Sequence, residues 1–102
     1  MINVSGFKVF PNEVEDVLAG HPDIVEAAVI GVPDNDGSET VKAFVVTNNP
    51  SLTIADVRGY AKTKLTPYKV PHLVEFRNEL PKTNVGKVLR RELKDQESKA
   101  AQ

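Results

Sequence analysis

Two apolar runs separated by a turn constrain this chain more than anything else in it. Residues 24–32 read Ile-Val-Glu-Ala-Ala-Val-Ile-Gly-Val, and residues 39–47 read Glu-Thr-Val-Lys-Ala-Phe-Val-Val-Thr. Both are rich in β-branched side chains, which suit a pleated surface. The first run is almost continuously apolar, the pattern of a strand buried on both faces. Between them, Pro33-Asp34-Asn35-Asp36-Gly37 is a cluster of turn residues. A connection that short predicts antiparallel neighbours.

The flanking segments alternate between strand and helix signals. The opening reads as two short strands within residues 1–10, broken at Ser5-Gly6, where glycine permits a bend or a close backbone approach. Residues 11–20 predict a helix. Pro11 suits its first turn, and Asn12 with Glu15 resembles a capping box. Val14, Val17 and Leu18 give the apolar stripe, and Gly20 with Pro22 stops it. Thr53 predicts a cap for a second helix over about 54–65, with Ile54, Val57, Ala61 and Leu65 inward. Thr66-Pro67 ends that helix, and Leu73 to Phe76 reads as a third strand. A polar loop runs from Pro81 to Lys87. A charged helix follows from Val88, with Leu89 and Leu93 as its apolar side, and residues 98–102 are expected to fray. The fold class is α+β: one domain over residues 1–102, with a small, mainly antiparallel sheet and helices packed on it.

Composition excludes several kinds of chemistry. With 13 Lys and Arg against 14 Asp and Glu, the chain is neither a polybasic nucleic-acid tail nor a disordered polyanion. The cysteine count is 0, which removes disulfides, thiolates and Cys-ligated zinc. No apolar run approaches the roughly 20 residues of a membrane span. Gly6 and Lys8 interrupt any secretory apolar segment at the start. These features predict a small intracellular domain. His21 and His72 lie far apart without ligand spacing. Asp34, Asp36 and Gly37 echo a calcium loop, but Val32 and Ala43 stand where that loop needs acids. Glu13, Glu15 and Asp16 suit the positive end of a helix without further purpose. Gly86-Lys87 invites a phosphate-loop reading, yet Pro81 and Val88 replace its required Gly and Ser/Thr.

The informative stretch is the C-terminal one. Residues 82–94 hold five basic residues and one acid, Glu92, in an otherwise balanced chain. Gly86 permits an unusual backbone angle beside Lys87. A lysine at the tip of such a loop is a point charge suited to phosphate or carboxylate oxygens. Taken alone, the segment is better explained as a solvated loop than as a catalytic one. Pro81-Lys82-Thr83-x-x-Gly86-Lys87-x-x-Arg90-x-x-Leu93 resembles the last signature motif of the acyl-adenylate-forming superfamily. Ser5-Gly6-Phe7-Lys8-Val9-Phe10-Pro11-x-Glu13-Val14-Glu15 is similar to the second half of the motif that follows that family's hinge. Gly31-Val32-Pro33-Asp34 and Tyr68-Lys69-Val70-Pro71 resemble further landmarks, in the family's order. The resemblance spans nearly the whole chain, and within the superfamily it is closest to bacterial long-chain fatty acid–CoA ligases.

The resemblance implies the small C-terminal lid of a two-domain enzyme, with a hinge just before Met1 and a large adenylating domain upstream as its partner. It implies ATP, CoA and Mg2+, with the metal held mainly by the large domain, and a fatty acid substrate. Lys87 matches the family's adenylation lysine. Gly6 matches a glycine beside the pantetheine path, with a plain bulge glycine as the alternative. Lys8 matches a position facing the active site. Lys69, and less directly Lys62, are candidates for CoA phosphates, with solvated surface lysines as the alternative. Arg90 and Arg91 read as helix-surface charges. By this reading the domain alone is inactive, and the parent is cytoplasmic, with room for peripheral contact at the inner membrane. Competing readings are a lid for aryl, medium-chain or amino acids, or a free-standing nucleotide- or phosphate-binding module. RNA binding through residues 82–94 finds no aromatic stacking partner there.

Overall fold

A computed structural model describes residues 2–33, 37–82 and 91–95. Among them, β1 (Ile2–Val4) and β2 (Phe7–Val9) form an antiparallel hairpin. Then follow α1 (Pro11–Ala19), β3 (Ile24–Pro33), β4 (Glu39–Thr47), α2 (Ile54–Lys62) and β5 (Leu73–Phe76). The main sheet has the order β3-β4-β5. β3 and β4 pair antiparallel, with Val29 opposite Ala43, and the register shifts between Ile24 and Glu26. β5 pairs parallel to β4. Helix α2 and a 3-10 turn, Pro67–Lys69, carry the chain back before β5 begins, so its direction repeats that of β4. The main sheet therefore joins one antiparallel pair to one parallel pair. The tip of the β3–β4 turn, residues 34–36, lies outside the described residues.

The central pair is buried on both faces, as its composition predicts. On one face Val29, Val41, Ala43 and Val45 pack with Val14 and Leu18 of α1 and Val57 and Ala61 of α2. Ile2 and Val9 of the hairpin join the same core. On the other face Ala28, Ile30, Phe44 and Val46 pack with Leu80 and Leu93. Residues 91–95 are helical, and Leu93 is their fully buried member. The start of the helix predicted from Val88, including Leu89, lies outside the described residues, as does the tail 98–102.

Local chemistry explains the helix ends. Thr53 and Asp56 form a capping box: the Thr53 hydroxyl accepts from the Asp56 N–H at 3.1 Å, and the Asp56 carboxylate accepts from the Thr53 N–H at 3.1 Å. The helix closes at Lys62, earlier than the sequence pattern predicts. Leu65 is buried beyond its end, while Ile54, at its first turn, is exposed. The box predicted from Asn12 and Glu15 does not cap α1. Pro11 takes the first helical position, Phe10 precedes it without a side-chain cap, and Asn12 already lies inside the helix. Glu15 instead accepts a hydrogen bond from the Val29 N–H at 2.8 Å, closing the outer edge of β3.

Phe44 is the largest fully buried side chain and belongs to the second-face cluster. Phe44→Ala is expected to lower unfolding stability by about 3–5 kcal/mol. Set against the roughly 5–15 kcal/mol of an ordinary domain, that is a large fraction. A urea melt of the variant checks it; a change near zero contradicts a packed second face.

Candidate functional site

The two signature segments attach to different sides of the sheet. The hairpin turn has Ser5 at φ 50° and Gly6 at φ 89°. Positive φ at both central residues is what a tight two-residue hairpin of right-handed twist demands. The Gly6 N–H donates to the Asn3 Oδ1 at 3.0 Å and closes the turn. A Cβ placed on Gly6 meets nothing within 4 Å. Glycine is required there by the backbone angle, and the space over it is open. Lys8 follows on β2 and is exposed.

The 3-10 turn folds against this hairpin. Phe7 stacks on Tyr68 with ring centroids 4.7 Å apart and planes 22° from parallel. Tyr68 and Lys69 are thereby brought beside the Gly6 turn, while Lys8, the next residue after Phe7 on the strand, points to the opposite face of the hairpin. Lys69 does not stand alone: its Nζ donates to the Glu13 Oε1 at 2.8 Å. The hydrogen bond to Glu13 holds the Lys69 ammonium above the ordinary lysine value, with desolvation opposing it. Any phosphate that engages Lys69 must compete with that carboxylate.

Two hollows adjoin this side and share Pro67, Val70 and His72. One, of about 230 Å³, reaches Ser5, Glu39 and Tyr68. The other, of about 410 Å³, carries Arg58 and Lys62 on its wall. A track thus runs from beside Gly6 to two cations on α2. The Arg58 Nε donates to the Pro71 carbonyl at 3.1 Å, which fixes the guanidinium over the hollow. Sequence reasoning singled out Lys62 but missed Arg58 and His72. Arg58 lies four residues before Lys62, so one helix face presents both.

The second side carries the flanks of the Lys87 segment. Leu80 and Leu93 bury into the sheet from either end, and the Lys82 ammonium pairs with the Glu26 carboxylate of β3. Lys87 itself, with Gly86 and Arg90, lies outside the described residues. Arg91 is exposed, in keeping with a helix-surface charge. Nearby, Glu75 accepts from Arg77 Nε at 2.6 Å and from Lys42 Nζ at 3.2 Å. Both cations also lie over the Phe44 ring, at 4.6 Å for Arg77 and 5.0 Å for Lys42.

Residues 13–87 match the family described as AMP-binding enzyme C-terminal domain. The chain belongs to this family. It is 58% identical over 99 residues to a long-chain-fatty-acid–CoA ligase of Yersinia pestis, covering 97% of this chain and 18% of that protein. The AMP-binding C-terminal domain therefore spans under a fifth of the length of this relative. A Mycobacterium tuberculosis fatty acyl CoA synthetase superimposes with TM-score 0.89 at 35% identity, over 98% of this chain and 20% of that one. ATP-bound MatB from Rhodopseudomonas palustris does so with TM-score 0.86 at 35% identity, over 94% and 19%. The match across residues 13–87 runs as far as Lys87 and begins after Gly6 and Lys8.

In this AMP-binding C-terminal domain Glu75 sets a pH dependence. Burial pushes its carboxyl up, but the hydrogen bonds from Arg77 and Lys42 outweigh that and hold it below the ordinary value. A depressed carboxyl contributes stability above its unfolded-state value, and that contribution is lost as pH falls through the folded value. Glu75→Gln is expected to flatten the acid limb of the stability curve below about pH 4.5. Melting temperatures across pH 2–6 check this; an unchanged acid limb contradicts it.

Proposed function

We propose that this domain is the lid of a long-chain fatty acid–CoA ligase. In the first half-reaction a fatty acid carboxylate oxygen attacks the α-phosphorus of ATP, and pyrophosphate leaves. In the second, the CoA thiol attacks the acyl carbonyl of the acyl-adenylate, its proton is lost, and AMP leaves. The large upstream domain is the lid's partner in both, and the isolated lid is inactive, because a lysine on a loop cannot orient ATP alone. The observation that carries the reading is the separation of the two signature segments. The Gly6 hairpin belongs to the core on one face of the sheet, and Leu80 and Leu93, which flank Lys87, belong to the cluster on the other. A lid that presents first one side and then the other can serve two chemistries in one active site.

Each side has chemistry to match. In adenylation two anions approach each other. A lysine at position 87 offsets their repulsion and stabilises charge on the phosphoryl oxygens. In thioester formation the pantetheine arm needs room, which the bare backbone at Gly6 supplies. The track toward Arg58 and Lys62 suits the phosphates at the far end of CoA. Among the described residues no three His, Asp or Glu side chains stand together as metal ligands. Magnesium in this reading is bound by the nucleotide and the large domain. No helix among the described residues is long and apolar enough to cross a membrane. In this reading the parent enzyme works in the cytoplasm, and a fatty acid substrate leaves room for peripheral contact at the inner membrane.

In the intact enzyme, Lys87→Ala is expected to slow fatty-acid-dependent ATP–pyrophosphate exchange by at least about a hundredfold, the scale of losing one preorganised donor. AMP release by CoA from supplied oleoyl-adenylate should persist. Equal loss in both assays overturns the two-sided reading. Exchange driven by an aryl or amino acid instead of a fatty acid changes the substrate class. Gly6→Leu should show the reverse pattern, sparing exchange and blocking CoA-dependent release, measured per folded enzyme because the positive φ strains any side chain there.

A further inference from the structure

Glu39, the first residue of β4, touches both sides of the domain. Its Oε1 accepts from the Asn3 backbone N–H of β1 at 3.1 Å. Its Oε2 lies 4.0 Å from the Lys94 ammonium, next to Leu93. The carboxylate also occupies the space over Gly31: a Cβ there would stand 2.9 Å from the Glu39 carboxyl carbon and 3.1 Å from Ile2 Cγ2. Glu39 is a wall both of the hollow that includes Ser5 and of a smaller one, about 170 Å³, that includes Arg91 and Lys94. One side chain thus reaches the strand leading to Gly6, the Gly31-Val32-Pro33 landmark and the helix that follows Lys87.

We propose that Glu39 is a positioning residue that holds the Gly6 hairpin and the helical residues around Lys94 in one fixed register. The inference rests on the ligase reading for its chemistry, but not for the bridge itself. Asn3 leads directly into the turn, so its amide bond to Glu39 sets where Gly6 stands relative to the sheet. Lys94 lies on the segment anchored by Leu93, so its attraction to Glu39 sets how that helix end lies. The two contacts use different oxygens and differ in chemistry. Glutamine preserves the first, as a neutral acceptor, and abolishes the second.

The test uses the full-length enzyme with Glu39→Ala, Glu39→Gln and Lys94→Gln, each assayed in the two half-reactions. Thioester formation should follow the Asn3 bond. Alanine is expected to lower it about tenfold, and glutamine to restore it to within about twofold. Adenylation should follow the Lys94 contact. Alanine, glutamine and Lys94→Gln are each expected to lower it about two- to fivefold, the range of an exposed ion pair. Combining Glu39→Gln with Lys94→Gln should add nothing further. A purely structural residue would depress both half-reactions together, so equal losses with alanine and no rescue by glutamine overturn the proposal. Hydrogen exchange at the Asn3 amide, read on this chain, should be slow in wild type and Glu39→Gln and fast in Glu39→Ala. If exchange behaves so but the wild-type enzyme shows neither half-reaction, the ligase reading fails and the positioning role with it, while the bridge stands. If Asn3 exchanges equally in all three, there is no bridge.

Discussion

Everything in this domain follows from a strand pair with no solvent face. Ala28, Val29 and Ile30 of β3 and Ala43, Phe44 and Val45 of β4 are all buried, so successive side chains point to opposite sides and both sides must be covered. The first cover is conventional: two helices and the opening hairpin. On the second, among the described residues, Leu80 and Leu93 supply apolar contact from either end of the basic segment. Burial of apolar surface, the dominant favourable contribution to folding, thereby fixes where the two signature segments attach. Position relative to the chemistry is a by-product of covering the sheet.

Polar groups at the margins refine that arrangement. Glu13 on Lys69, Glu26 on Lys82 and Glu39 near Lys94 each tie a basic residue of a late segment to an element formed earlier in the chain. Such pairs contribute little to stability when exposed. Their effect is geometric: each orients a lysine beside a buried anchor, Val70 for Lys69, Leu80 for Lys82 and Leu93 for Lys94. Glu75 between Lys42 and Arg77 differs: there burial is partial, and two hydrogen bonds and an aromatic ring share the cations.

Much of this was legible from residues alone. The β3 and β4 runs, the break at Ser5-Gly6, the Thr53 cap and the Leu73–Phe76 strand all carry local signals, and each forms where its signal lies. The resemblance carried by four separated motifs located the candidate sites. What escaped were pairings between distant positions. Glu15 bonds to Val29 rather than completing a capping box, because the helix starts at Pro11 and carries Glu15 past its first turn. The parallel direction of β5 depends on how α2 returns the chain. Arg58 became a candidate only when Pro71 and His72 were seen to fold beside it. Glu39 has no local signal at all, and its meaning appears only when β1 and the C-terminal helix converge on it.

The bond from Val29 to Glu15 has one more effect. An edge strand with bare amides is a template on which another chain can add, and β3 is the longest strand of this sheet. A carboxylate bonded to its middle occupies a donor that an incoming strand would need, and places charge and a helix in that strand's path. Glu15 thus removes one pairing position from the outer edge of β3 and sets a carboxylate where a neighbouring strand would have to lie.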